Sequence, residues 1–209
     1  TKLGIKGSPA LAEHMQIARD LFLLEYTGGK LHIPTISTAK SVALIKEAKK
    51  KGLQVSCSVS AHHITLVDDE LQFFDSKVKV TPPLRTKADT KALQKGLKDG
   101  IIDMITSDHN PIDTEHKKLE FSLSKDGTIG LESLFGAVNT VLDLETTIKC
   151  LTTNPRSVFG QDIQSIKKDT TANFTLFNPE GPYLFSKDNI LSTSKNSAFE
   201  GKKLQGTVY

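Results

Sequence analysis

The sequence has only two cysteines among its 209 residues, Cys57 and Cys150. They lack the paired spacing of a zinc site and the density of a secreted disulfide framework. No apolar stretch approaches the roughly 20 residues needed to cross a bilayer, and the N-terminus lacks the apolar core of a signal peptide. These absences favour a reducing, cytoplasmic setting without a membrane partner.

The chain also lacks a strong charge bias, tandem repeats and low-complexity segments. It has 27 basic and 24 acidic side chains, and its lysine cluster at 49–51 falls at the expected end of a helix, where it complements the helix dipole. We therefore expect no nucleic-acid partner and exclude the solenoid and disordered classes. With 37% hydrophobic and 24% charged residues, the composition is typical of a globular chain of one domain, or one domain with an appendage.

Hydrophobic periodicity predicts alternating helices and strands in the first half of the chain. The first helix opens at Ser8-Pro9, ends at Thr27-Gly28-Gly29, and repeats apolar residues at helical spacing at Leu11, Met15, Ala18 and Phe22. The elements that follow are a strand at 30–35, a helix at 38–51, a strand at 53–59, a helix at 87–99 and a strand at 101–106. Such repeated βα units imply a parallel sheet, either open or closed as a barrel.

The second half of the chain changes in character near residue 165. An apolar helix comes first, followed by a short helix through Cys150, and the residues expected on the buried side of the apolar helix are Leu131, Leu134, Phe135, Val138 and Leu142. Beyond residue 165 the segment 173–177 alternates, and short strands mix with Gly, Asn and Ser turns. We interpret 1–164 as the α/β part and 165–209 as a small β appendage.

Asp108 is the most informative candidate for chemistry, because it follows a buried strand, and functional groups gather at the C-terminal ends of parallel strands. Its carboxylate could ligate a metal or act as a general base on a metal-bound water. Alternatively, Asp108 caps a turn and His109 packs locally. The local pattern leaves both interpretations open.

The other histidines are expected to be structural. If the chain is extended at His62-His63, the two side chains point in opposite directions and at most one faces a site, so a packed, hydrogen-bonded pair is favoured. His32 lies on the opposite face of its strand from Ile33 and Thr35. The sequence contains no nucleophile elbow, no phosphate-binding glycine motif and no convincing Ser, His and Asp set.

Several short segments, taken in order along the chain, resemble the dihydroorotases of the cyclic-amidohydrolase branch. Any one segment alone is weak, whereas the collinear set is specific. They are GSPALAE at 7–13, IPTISTAKSV at 33–42, AHH at 61–63, VTPPLR at 80–85, SDHNP at 107–111, GLE at 130–132, TNP at 153–155 and NSAFEG at 196–201.

The resemblance implies the C-terminal part of a (β/α)8 TIM-type barrel with a small β-sandwich appendage, containing about the last three of eight strands. It implies hydrolysis or closure of a cyclic amide, dihydroorotate or N-carbamoyl-aspartate, by a hydroxide held on one or two zinc ions. Asp108 matches the family's aspartate, which is both a metal ligand and the group that accepts and returns the proton. The substrate-binding positions correspond to Thr81, Pro82, His109 and Ile112.

Three of the matching positions depart from the family pattern. Thr35 occupies a position of a zinc-binding histidine, and its neutral hydroxyl is a poor zinc ligand. Thr81 replaces a substrate-binding asparagine and lacks the donor and acceptor pair of the amide. Ile112 replaces a histidine that would contact substrate. The family's remaining metal-binding groups are expected upstream of Thr1. Because the sequence begins with Thr1 rather than Met, we expect a processed protein, a trimmed protein or a fragment.

Two interpretations of function follow from the resemblance. The chain is part of an active zinc-dependent dihydroorotase, inactive alone, or it belongs to a non-catalytic paralogue that acts as an assembly partner of aspartate transcarbamoylase and binds no metal. A homo-oligomer is also expected as a possible assembly. A third interpretation, an unrelated α/β binding domain, would place Asp108 away from any cavity.

Overall fold

The fold is built on a three-stranded parallel sheet in the order β1-β2-β3. The computed structural model describes Gly4, residues 7–163 and residues 165–209. The strands are β1 (Leu31–Ile33), β2 (Val55–Ser60) and β3 (Met104–Thr106). Ile33 is opposite Cys57, and Ser60 is opposite Thr106, so all three strands end at the same edge of the sheet. The alternation of helices and parallel strands expected from the sequence is confirmed.

Helices connect and flank these strands. Local capping sets where two of the main helices begin: the Thr38 hydroxyl accepts the Ser41 amide at the start of α2, and Thr86 and Asp89 form a capping box at the start of α4. The helices are α1 (Ala10–Thr27), α2 (Ala39–Lys50), α3 (Ala61–Thr65), α4 (Lys87–Lys98), α5 (Thr114–Lys117), α6 (Leu134–Val141), α7 (Leu144–Leu151) and α8 (Thr153–Val158). Short 3-10 turns lie at Asp68–Phe73, Ser76–Val78 and Lys187–Asn189.

The main hydrophobic core lies between the parallel sheet and its helices. In β2, Val55, Cys57 and Val59 are buried, as the period-two pattern predicts. Helices α2 and α4 contribute Ile45 and Leu93, which are fully buried. This core fixes the strands whose ends carry the candidate site.

A second core joins the C-terminal segment to the rest of the chain. Strands β4 (Phe177–Leu184) and β5 (Lys203–Val208) form a two-stranded antiparallel sheet. The Asn139 side chain of α6 donates to the carbonyls of Pro179 and Gln205, at 2.9 and 3.0 Å. Phe185 and Phe199 pack with Leu66 and Ile129 in one apolar cluster. The two-stranded sheet is therefore fastened to α6 by the hydrogen bonds of Asn139 and by the packing of Phe135 against Phe177.

One expectation about burial was wrong. Leu131, expected on the buried side of the apolar helix, is exposed because it precedes α6 and lies outside the helical face that faces the core. In α1, where the helical spacing did not assign a buried face, Ile17, Leu21 and Leu24 are buried, whereas Leu11, Met15 and Phe22 are exposed.

Two strand boundaries also differ from the sequence prediction. The predicted strand at 101–106 begins only at Met104, since Ile101 and Ile102 both donate to the Gly96 carbonyl in a turn. The alternating segment 173–177 enters a strand only at Phe177, and Phe174 and Leu176 are exposed.

Both cysteines are free and buried. Burial is the main cause that raises the pKa of the Cys57 thiol to about 12 and that of Cys150 to about 11. Both thiols are therefore protonated at neutral pH and unreactive as nucleophiles. Among the described helices, none combines the length and apolar character required for a membrane span.

Candidate functional site

The ends of β1, β2 and β3 bring Thr35, His62 and Asp108 to one edge of the sheet. Asp108 comes two residues after β3 and has a left-handed backbone, with φ 45°. Aspartate tolerates this conformation better than most residues because its short side chain can hydrogen-bond locally. Its side chain remains 35% exposed, and partial burial raises the pKa of its carboxyl group.

His62 faces Asp108 directly. Its Nε2 lies 3.5 Å from Oδ2 of Asp108, while the imidazole is only 1% exposed. Within the described part of the chain, this nitrogen has no hydrogen-bond partner. Burial, together with the neighbouring His63, holds the pKa of His62 well below its usual value, so the ring is neutral and Nε2 can present a lone pair.

His63 has a different role from its neighbour. Its Nδ1 pairs with the Ser60 hydroxyl at 2.6 Å, and its Nε2 pairs with the Pro82 carbonyl at 2.8 Å. Burial lowers its pKa to about 4. His63 therefore packs as a structural residue and ties Pro82 to the end of β2.

The expectation that His62-His63 is extended was wrong, because Ser60 ends the strand and caps α3 immediately. In a helical turn the two rings are held close together, with their centroids 4.6 Å apart. Sequence reasoning missed His62 as a partner of Asp108. The signal that could have found it is a serine at the strand end, three residues before His63.

The three residues that depart from the family pattern, Thr35, Thr81 and Ile112, each form a hydrogen bond with a neighbouring residue. Thr35 has φ 48°, and its amide donates to the Ser58 hydroxyl at 3.2 Å. The Thr81 hydroxyl donates to the Asp126 carboxylate. The Ile112 amide donates to Oδ1 of Asn196 at 3.3 Å, so the segment after β3 is fastened to the C-terminal part of the chain.

His109 is oriented by the entrance to α6. Its Nδ1 accepts from the amides of Gly130 and Leu131, both at 3.3 Å. The ring proton therefore resides on Nε2, which makes that atom a hydrogen-bond donor. His32 lies away from the site edge, where it pairs with Ser56 at 2.8 Å and packs against Phe159.

Two lysines hold the loop between β3 and α6. Lys79 Nζ donates to the Ser124 carbonyl at 2.6 Å. Lys117 is almost fully buried, and its Nζ donates to the carbonyls of Ser76 and Lys125, at 2.6 and 2.8 Å. Burial lowers the pKa of Lys117 to about 8, and Lys79 adds to this, while Asp126 and Asp75 oppose it.

The buried ammonium of Lys117 predicts a dependence of stability on pH. Because the pKa is about 8 in the folded chain and about 10.5 in the unfolded chain, the unfolded state binds more protons between these values. The cost of burying the charge is present below pH 8 and is relieved as pH rises to 10.5. Relative to Lys117→Met, the wild type should gain up to about 1 kcal/mol per pH unit in this window.

Urea titrations at pH 7.5, 8.5 and 9.5 would measure this difference. Lys118→Met is the matched control, since Lys118 is the exposed neighbour, and its stability should follow the wild type at every pH. Parallel curves for wild type and Lys117→Met would contradict the assignment of a lowered pKa to the buried ammonium.

The distance between His62 and Asp108 shows whether both side chains could bind one metal ion. Two ligands of one tetrahedral zinc ion lie about 3.4 Å apart when metal–ligand distances are near 2.1 Å. The observed 3.5 Å between Nε2 and Oδ2 matches this spacing. Across residues 7–163 and 165–209, no group of three or more His, Cys, Asp or Glu is suitably arranged for a metal. Among the described residues, this edge therefore offers two donors at the spacing of ligands to one metal ion.

No family model matches the chain. The chain is 37% identical over 213 residues to a dihydroorotase of Geotalea daltonii, covering 100% of this chain and 50% of that protein. It is 39% identical over 211 residues to a dihydroorotase of Endomicrobium trichonymphae, covering 98% of this chain and 50% of the relative. The chain therefore spans about half the length of these relatives.

Solved structures share the fold. L-hydantoinase (dihydropyrimidinase) from Arthrobacter aurescens superposes with a TM-score of 0.89 at 24% identity, covering 96% of this chain and 47% of that one. D-hydantoinase from Thermus sp. gives 0.83 at 23% identity with the same coverage. The sequence identity to dihydroorotases over the whole chain argues against an unrelated α/β domain. By sequence, the whole of this chain resembles the C-terminal portion of dihydroorotases.

Proposed function

We propose that the chain is one half of a zinc-dependent dihydroorotase that opens or closes a cyclic amide only when the remaining half is present. The observation that carries this proposal is the neutral, unpartnered Nε2 of His62, held 3.5 Å from Asp108. A buried nitrogen without a partner is costly, and such groups in native proteins generally have a functional reason. A metal ligand role would supply that reason.

In this proposal His62 and Asp108 contribute two ligands, and Asp108 also serves as the general base. Zinc, when bound there, would supply a water of lowered pKa and polarise the amide carbonyl. The raised pKa of Asp108 suits a carboxyl group that must accept a proton and return it. His109, with its proton on Nε2, would donate a hydrogen bond to substrate, beside Thr81, Pro82 and Ile112.

The architecture proposed with this function is the last part of a (β/α)8 barrel, formed by residues 1–164. Residues 165–209 would be the part of a β-sandwich that flanks it. The three parallel strands and the two-stranded sheet fastened to α6 support this division. Because the described residues offer only two donors where catalytic zinc sites use three protein ligands, the isolated chain is expected to show no turnover.

A chimera tests the proposal: this chain replaces the matching half of the Geotalea daltonii dihydroorotase, and dihydroorotate ring opening is assayed with zinc. We expect turnover above background, and a loss of at least about 100-fold on Asp108→Asn, because general acid–base catalysis contributes 100- to 10,000-fold. Asp113→Asn is the control, since that exposed carboxylate caps α5 and lies outside the site. Equal activities of the two variants would contradict the role of Asp108.

Thr35 supports a second candidate, a non-catalytic paralogue that assembles with aspartate transcarbamoylase. A neutral hydroxyl at a ligand position weakens a zinc site. This candidate predicts that the chimera hydrolyses dihydroorotate only after Thr35→His, and that the native protein co-purifies with aspartate transcarbamoylase. Turnover by the chimera that retains Thr35 would reject it in favour of the hydrolase.

A further inference from the structure

The loop between β3 and α6 carries Asp108, His109 and Ile112, yet it has little regular structure of its own. Its helix α5 has only four residues. Side chains on such a loop keep a fixed position only when neighbouring groups pack against them and hydrogen-bond the backbone. Asn196, from the C-terminal segment, is one of these neighbouring groups, and it is only 7% exposed.

The side chain of Asn196 joins the two arms of this loop. Its Oδ1 accepts from the Ile112 amide at 3.3 Å and from the Ser194 hydroxyl. Its Nδ2 donates to the Gly127 carbonyl at 3.1 Å. Ile112 lies on the arm that leaves β3, and Gly127 lies on the arm that returns to α6. We call Asn196 and these three partners the loop clamp, which uses both the acceptor and the donor of one amide.

The backbone of Asn196 extends this contact toward His109. Its carbonyl accepts from the Ile129 amide and from the Thr128 hydroxyl, both at 3.1 Å. Thr128 in turn forms a parallel bridge with His109, and its carbonyl accepts the Asn110 amide at 2.8 Å. The position of His109 therefore depends on Asn196 through one intervening residue.

The two arms of the loop touch each other at the loop clamp. Gly127 has φ 133°, and a Cβ there would lie 2.9 Å from the Asn110 side chain and 3.1 Å from Cγ1 of Ile112. Residues 127–130 are all buried. Because closely packed groups transmit small shifts, a movement of the Gly127 arm would also displace Asn110 and Ile112.

We propose that Asn196 is a positioning residue of the candidate site, which holds His109 and Ile112 in place for substrate. Its hydrogen bonds reach the segment that carries these two residues, whereas Asp108 and His62 face each other at the sheet edge. Loss of Asn196 should therefore weaken substrate binding more than the chemical step. This consequence rests on the proposed function, whereas the loop clamp itself can be tested in the chain alone.

The substitution Asn196→Asp separates the donor of the amide from its acceptor. An ionised carboxylate still accepts from Ile112 but faces the Gly127 carbonyl without a proton, so the two oxygens repel each other. The protonated acid can donate to Gly127 again, and burial should raise its pKa above the usual value of about 3.9. The variant should therefore resemble the wild type at low pH and lose the loop clamp as pH rises. The variant and the wild type share the ionisable groups beside the clamp, which are His109, Asp126 and Lys195.

Amide hydrogen exchange of the 209-residue chain at pH 5 and pH 8 would measure the loop clamp. Relative to the wild type at the same pH, Asn196→Asp should lower the protection of the Ile129 and Asn110 amides by at least about tenfold at pH 8, and by much less at pH 5. Asn189→Asp is the matched control, because Asn189 acts through its Oδ1, which accepts from the Ser186 amide and hydroxyl. An aspartate there keeps the acceptor, so both amides should stay protected at both pH values. Equal protection in the wild type and Asn196→Asp, or an equal loss at both pH values, would overturn the proposal.

Steady-state kinetics of the chimera test the consequence for substrate. At pH 8, Asn196→Asp should raise KM for dihydroorotate by at least about tenfold and change kcat by less than about threefold, and KM should approach the parent value near pH 6. Asn196→Ala should raise KM at both pH values. An unchanged KM at pH 8 in a chimera that turns over would overturn the positioning role. A parent chimera without turnover would reject the proposed function alone, because hydrogen exchange would still decide whether Asn196 holds the loop.

Discussion

Replacing Gly130 with alanine is expected to lower the free energy of unfolding by about 3 to 4 kcal/mol. A Cβ at this position would overlap the carbonyl oxygen of Ser107 and lie 3.1 Å from its carbonyl carbon. Backbone atoms cannot rotate away as a flexible side chain does, so the α6 entrance or the end of β3 must move. Because Ser107 precedes Asp108, the same shift would displace the carboxylate from His62.

Urea unfolding of Gly130→Ala would measure the stability loss, with Gly160→Ala as control. Gly160 has a left-handed backbone, with φ 65°, and open space around it, so alanine there should cost about 1 kcal/mol from backbone strain alone. In the chimera, Gly130→Ala should also reduce turnover, whereas Gly160→Ala should not. Similar losses of stability for the two variants would show that the Ser107 carbonyl yields easily.

The parallel sheet was predictable because its evidence is local. Val55, Cys57 and Val59 alternate with polar residues, and this pattern places them in a strand without knowledge of any partner. Gly28 and Gly52 follow their helices with positive φ angles that favour glycine. The ends of these two helices could therefore also be predicted from the sequence.

The buried face of α1 was not predictable in the same way. Both stripes of the helix have apolar spacing, and the sequence contains no local information that assigns one to the core and the other to the exterior. Only packing against α2 and the sheet makes that choice. The predicted strand at 173–177 was wrong over most of its length for a similar reason. Alternation in the sequence does not show whether a neighbouring strand is available for pairing.

The candidate site was predictable at Asp108 and not at His62. Asp108 follows a strand, and this position made it a candidate for chemistry, with a turn cap as the alternative. His62 faces Asp108 only because Ser60 starts a helix where an extended chain was expected. The pairing also depends on the register of β2 against β3, which joins residues more than 40 positions apart.

Replacing Asp103 with alanine is expected to lower the free energy of unfolding by about 3 kcal/mol. Its two carboxylate oxygens accept from Lys49 Nζ at 2.8 and 2.9 Å, and one of them also accepts from the Cys57 amide at 2.8 Å. The side chains of the ion pair are only 23% and 20% exposed. Alanine would leave a buried amide and a half-buried ammonium without their acceptor, at the point where α2, β2 and β3 meet.

Two controls separate the parts of this effect. Asp103→Asn keeps an oxygen for the Cys57 amide and removes only the charge, so it should cost about 1 kcal/mol. Glu47→Ala breaks the exposed pair with Lys50 and should cost at most about 0.5 kcal/mol. If alanine and asparagine at position 103 were equally destabilising, the charge pair with Lys49 would dominate. If Asp103→Ala lowered the free energy of unfolding no more than Glu47→Ala, water would already satisfy the Cys57 amide. Asp103 would then not stabilise the contact between the strands.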